Sequence, residues 1–310
     1  MQILRPYSIA GRQHASSIFH QDKITNRFFQ PSPAFQISGA VGRNMSLCPI
    51  TELKSTATIP DLFVSFLAQK PVPNPNYAKV KGLLEASMRD IYGYRDGEYA
   101  KRVQADFSYF AALFAPTAAA PEYRTICDYF HWIFDFDDMF DDGHLSSDPQ
   151  GARRELDGLL AVMTSDGNAV IPEHDKPKLV FQSIWNRIVE ASQSYHQFLD
   201  LSNEIMEYQS IKEIEAIAVE ILVLHNDLLS YQKEYTTHPT NPNIVTIYRQ
   251  QHGLSQQQAY DSIDVLLRER YRRWYIAHSK LPILGEELDE QVQRYVGGCR
   301  DVLASNLHWR

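Results

Sequence analysis

The chain has 310 residues, 44% of them apolar and 22% charged, with a formal net charge of −8. Those proportions suit one large globular domain or two small ones and exclude wholesale disorder. The negative balance disfavours a nucleic-acid partner, and no apolar run approaches the roughly 18 residues that span a bilayer.

The charge is uneven along the chain. Residues 1–58 carry six Lys/Arg against two Asp/Glu, so the remainder holds a net −12. This first stretch reads as an N-terminal extension, either disordered or an artefact of the gene model. A transit-peptide-like composition is the alternative. The three cysteines, Cys48, Cys127 and Cys299, have neither metal-ligand nor redox spacing, so a reducing, cytoplasmic setting is expected.

From about residue 59 the signals are helical. "PDLFVSFLAQ" (60–69) reads as a helix closed by the proline-rich "PVPNPN". "YAKVKGLLEASMRDIYGY" (77–94) and "RVQADFSYFAALFA" (102–115) place apolar residues three and four apart, the spacing of a buried helix face. Residues 122–142 continue the pattern up to "DGHLSSDPQG". Two further amphipathic stretches start at Ala152 and Lys178. The longest uninterrupted pattern is 211–235, ended by "TTHPTNPN". Ser255, with Gln258 at the capping-box position, opens the next. A last helix is expected over 286–308. Strand-like alternation is nearly absent, so the fold class is all-α.

Two motifs carry chemistry. "DFDDMFDDG" (135–143) packs five aspartates into nine positions directly after the apolar "YFHWIF". Residues four apart lie on one helix face, offset by about 40°. Asp137 and Asp141 therefore share a stripe with Phe134, Ile133 and Phe130. A helix C-terminus is itself electronegative, so such a cluster calls for a cation. Hard oxygen ligands suit Mg²⁺. Asp135 and Asp142 read as outer or solvated members of the cluster. In "NDLLSYQKE" (226–234), Asn226, Ser230 and Glu234 fall on one face at i, i+4 and i+8. They offer an amide oxygen, a hydroxyl and a carboxylate. Val219, Leu222 and Val223 continue that face as an apolar wall. His131 and His225 read as packed, hydrogen-bonded helix residues, not bases. Two oxygen rims above apolar, aromatic faces suit a metal-bound diphosphate attached to a hydrocarbon chain.

Here the sequence resembles the class I terpene synthases, and within them the fungal (basidiomycete-type) sesquiterpene synthases. "DDMFD" matches the family's D-D-x-x-D at Asp137, Asp138 and Asp141. "NDLLSYQKE" matches its N-D-x-x-S-x-x-x-E without a mismatch. The resemblance covers about residue 59 to the end. It implies an all-α bundle around a central cavity, three Mg²⁺ ions and a prenyl diphosphate substrate, most naturally farnesyl diphosphate. The product would be a cyclised sesquiterpene, made by a monomer or homodimer. By position, Asp137 is the chief ligand of the first rim, with Asp138 and Asp141 beside it. Asn226, Ser230 and Glu234 hold a further ion, and Lys233 contacts the diphosphate. Aromatic wall positions fall on Phe110, Phe134 and Trp309.

Two departures from the family pattern stand out. Its arginine–tyrosine pair, expected a few residues after the tryptophan, cannot be placed after Trp309. The metal motifs are also close, Asp137 and Asn226 being 89 residues apart. A segment is expected to be missing between Phe198 and Ile211, including a kinked helix and its arginine. Arg187 resembles a structural arginine, not that sensor. A relic with impaired catalysis is the alternative. A chain-elongating prenyl synthase would show a second Asp-rich motif. A protonation-driven cyclase, suggested by "DFDD", would not need residues 226–234.

Overall fold

The computed structural model describes residues 56–141, 143–165, 167–195, 203–237 and 243–309. The N-terminal extension up to residue 55, Asp142 and Phe198 lie outside them. So does the side chain of Asp141.

Among the described residues there is no strand. The helices are α1 (Tyr77–Tyr92), α2 (Asp96–Ala105), α3 (Phe107–Phe114), α4 (Ala120–Asp141), α5 (Pro149–Thr164), α6 (Lys176–Tyr195), α7 (Asn203–Met206), α8 (Gln209–Thr237), α9 (Ile244–His252), α10 (Gln256–His278) and α11 (Glu286–His308). The all-α expectation holds, and the long helices fall where their apolar periodicity put them.

Four local readings change. Residues 60–69 form no α-helix, only a 3-10 turn at Ser65–Leu67. Val64 before it is extended, and Phe66 packs against Tyr271, Trp274 and Tyr275 of α10. Tertiary packing overrides a weak local preference there. The stretch 102–115 is two helices. Asp106 breaks it with a left-handed backbone, φ 52°. Aspartate tolerates this conformation because its short carboxylate bonds locally. One Asp106 oxygen accepts from the Tyr109 N–H at 3.0 Å; the other accepts from the Tyr77 hydroxyl and Lys81 Nζ, both at 2.5 Å. Helices α7 and α9 were not foreseen.

Ile59–Arg310 packs as one unit with two kinds of core. Helices α1, α3, α4, α5 and α6 bury an aromatic set that includes Phe107, Phe110, Phe130, Trp132 and Phe181. Helix α8 instead buries an aliphatic stripe, Ile211, Ile214, Ile217, Ile221, Leu224 and Leu228, against α10. Two arginines lock that pair: the buried Arg270 and the half-buried Arg273 of α10 reach Glu220 at 3.0 and 3.1 Å. Helix α11 packs on both α3 and α8, and so links the two halves.

Candidate active site

Each motif sits at the C-terminal end of its helix. Helices α4 and α8 share no extensive contact among the described residues; α3 and α11 connect them. The rims thus belong to opposite halves of the fold.

On α4, Asp137 and Asp138 are exposed, one turn beyond the half-buried Phe134 and two beyond the buried Phe130. Asp135 differs from the sequence reading. Its side chain is only 10% exposed, so it is not solvated. The Arg102 guanidinium of α2 reaches Asp135 at 2.5 Å and Asp138 at 2.9 Å. The Tyr94 hydroxyl also donates to Asp135, and Tyr94 stacks on Tyr92. Burial still dominates and raises the Asp135 pKa above the usual carboxylate range, despite the Tyr94 hydrogen bond and the Arg102 charge that oppose it. Part of the repulsion in "DFDDMFDDG" is therefore relieved by the protein's own cation. No local signal marks Arg102 for this role, because its partners lie more than thirty residues away.

On α8, Asn226, Ser230 and Glu234 are half-buried, and Lys233 is exposed. Their face is not the aliphatic stripe: Val219, on the same face, is 55% exposed. The Ser230 hydroxyl donates to the Asn226 carbonyl at 2.7 Å, which leaves its oxygen lone pairs for another partner. Glu234 accepts from Asn243 Nδ2 at 3.0 Å. The motif's aspartate has a separate, structural task. Asp227 Oδ2 accepts the Ile244 N–H at 2.7 Å, tying α8 to the first turn of α9. Burial pushes its pKa up to about 6.

The three aromatic wall positions do meet. Ring centroids of Phe110 and Trp309 are 5.0 Å apart, Phe134 and Trp309 5.6 Å, Phe110 and Phe134 6.1 Å. Phe107, not singled out from sequence, stacks on Phe134 at 4.3 Å. The Trp309 indole N–H donates to the Ala105 carbonyl at 2.7 Å. These rings touch one another instead of facing across an open space, as apolar groups do when nothing separates them. A pocket of about 390 Å³ does exist at Gln209, Glu213, Arg273 and Lys280. It lies at the N-terminal end of α8, about 20 Å along the helix from Asn226, and is not part of the rims.

The remaining candidates resolve as structural. Arg187 of α6 pairs with the buried Asp128 at 2.7 Å. His131 lies 3.3 Å from the Ser108 hydroxyl and His225 3.0 Å from the Tyr271 hydroxyl. Burial pushes both imidazole pKa values down to about 4, so both are neutral near pH 7.

The donor set fits a hard divalent cation, because every candidate atom is oxygen. Among the described residues, however, no three His, Cys, Asp or Glu side chains converge on one point. Asn226 and Ser230, together with oxygens of a bound anion, would have to complete any site.

Comparison with known proteins defines the class. Hedycaryol synthase superposes with a TM-score of 0.63 at 16% identity, covering 82% of this chain and 98% of that one. Germacradien-4-ol synthase from Streptomyces citricolor gives 0.62 at 17%, covering 78% and 97%. The fold is that of the helical terpene synthases. The family model described as terpene synthase family 2, C-terminal metal binding, matches residues 195–273. Silphinene synthase of Penicillium patulum is 35% identical, over 83% of this chain and 84% of its own. The (+)-eremophilene synthase of Gibberella fujikuroi is 31% identical, over 81% and 85%. The chain belongs to the fungal class I terpene synthases, a family of terpene cyclases.

The same alignments bear on the short spacing of the motifs. The silphinene synthase match runs over 315 positions but takes up 83% of 310 residues, about 257, so about 58 positions of that relative face gaps here. The eremophilene synthase match, 308 positions over 81%, or about 251 residues, leaves about 57.

Proposed function

We propose that this chain is a sesquiterpene synthase acting on farnesyl diphosphate, with its catalytic domain at 59–310. The observation that carries the reading is the pairing of two oxygen-rich helix ends, on opposite halves of one fold, with an aromatic cluster between α3, α4 and the end of α11. Asp137, with Asp138 and Asp141, would hold Mg²⁺ on one side; Asn226, Ser230 and Glu234 would hold it on the other. Bound Mg²⁺, three ions by family resemblance, would neutralise the diphosphate and make it a better leaving group.

The chain's own residues then have distinct tasks. Lys233, exposed beside Glu234, supplies positive charge to the diphosphate. Phe110, Phe134 and Trp309 must part to admit the hydrocarbon. Their faces then stabilise the positive charge left on its carbon and exclude water from it. Arg102 keeps Asp135 and Asp138 from repelling one another before the substrate arrives. The missing positions we place between Phe198 and Ile211, where the relatives would add another wall to the cavity.

Diphosphate release from farnesyl diphosphate tests the assignment of the rims. It should stop on chelation of Mg²⁺. Asp137→Asn and Asn226→Ala should each lower turnover by at least about a hundredfold, the scale of losing a group that stabilises developing charge. An unchanged rate in either variant removes that residue from the reading.

A further inference from the structure

Asn243 is the last residue before α9 and is 2% exposed. Its side chain makes three hydrogen bonds. Nδ2 donates to the Asp227 carbonyl at 2.9 Å and to Glu234 Oε2 at 3.0 Å; Oδ1 accepts from the Val245 N–H at 2.9 Å. One amide therefore caps α9 and spans two turns of α8, from Asp227 to Glu234. The Ile244 N–H to Asp227 bond fixes the same junction from the neighbouring residue.

A glutamate has three rotatable side-chain bonds, and pointing it at a cation costs entropy unless something else holds it. Holding a ligand by its second oxygen is how outer groups orient metal ligands. The donor here is a neutral amide. It fixes one oxygen without bringing a positive charge that would repel a cation. Asp135 and Asp138 on α4 are held instead by a guanidinium. We infer that Asn243 is a positioning residue for Glu234, fixing Oε2 so that the other carboxylate oxygen is presented to a divalent cation. This rests on the metal role of Glu234 proposed above.

The test uses the full chain with Mn²⁺ and inorganic diphosphate as probes, free Mn²⁺ being followed by electron paramagnetic resonance. Asn243→Ser keeps a hydroxyl able to cap α9 but cannot hold both α8 partners. Mn²⁺ affinity should fall about tenfold or more, while the melting temperature stays within a few degrees of the parent. Asn243→Thr also keeps a capping hydroxyl, and repeats the test if the serine variant melts early. In a Glu234→Gln background the Asn243→Ser loss should vanish, because the residue acts through that carboxylate. Parental affinity in Asn243→Ser, with Glu234→Gln weakened, overturns the inference alone. So does a serine effect that persists undiminished in the Glu234→Gln background. Parental affinity in Glu234→Gln overturns the metal role of Glu234 and this inference with it.

Discussion

Arg102→Gln removes the cation that α2 sets against the aspartate helix. The consequences for its two partners are unequal. Asp138 is 64% exposed, so its loss amounts to a surface pair, about 0–1 kcal/mol. Asp135 is 10% exposed and would remain as a buried charge with only Tyr94 donating to it. Breaking a buried pair from one side costs about 3–5 kcal/mol. Arg102 itself keeps 23% exposure, and the Tyr94 bond survives. The expected loss is therefore about 2–3 kcal/mol. In a unit of this size each kcal/mol moves the melting temperature by about 2–4 °C, which gives about 5–10 °C. Calorimetric melting at neutral pH measures it. The double variant Arg102→Gln/Asp135→Asn should recover more than half of the loss, since no buried charge is left. A single-variant loss below about 0.5 kcal/mol, or simple additivity in the double variant, refutes the claim that Arg102 neutralises Asp135.

Three further outcomes are expected. Trp309→Ala removes the ring packed on Phe107, Phe110 and Phe134 and the bond to Ala105. It should cost about 3 kcal/mol in urea unfolding, and a cost under about 1 kcal/mol would mean that the cluster does not need it. His131 has its pKa lowered to about 4 in the folded state, so its contribution is present above the unfolded value and is lost as pH falls from about 6.5 towards 4. His131→Asn should flatten that limb of the stability curve by up to about 3 kcal/mol. An unchanged limb would contradict its burial as a neutral ring. Asp301 has the opposite sign. Burial raises it to about 6, so its contribution falls as pH rises from about 4 to about 6, and Asp301→Asn should make that limb shallower, with the buried Asp227 still contributing to what remains.

Helices whose apolar spacing runs for several turns were legible in the sequence. α8 and α11 follow their patterns closely, because one side of each meets a continuous wall of neighbours. The break at Asp106 was not legible, because it depends on Tyr77 and Lys81 arriving from α1. Residues 60–69 misled for the same reason: their order comes from α10, not from their own periodicity. The two candidate metal motifs stood out in the sequence as oxygen-bearing side chains spaced along single helix faces. What surrounds them was not. Arg102 reaches Asp135 and Asp138 across the α2–α4 fold, and no spacing announces that. Asn243 carried a partial signal, a good capping residue before the apolar Ile244 and Val245. Its reach back to Glu234 depends on how the chain returns from α8.

In the proposed function, two oxygen rims on one helical fold ionise a prenyl diphosphate despite the gaps against the relatives. Incubating the purified chain with farnesyl diphosphate and Mg²⁺, and analysing the headspace and released diphosphate together, tests it directly. The expected products are a cyclised C15 hydrocarbon and equimolar diphosphate, both abolished by chelation. Folded protein that releases neither would contradict the proposed function.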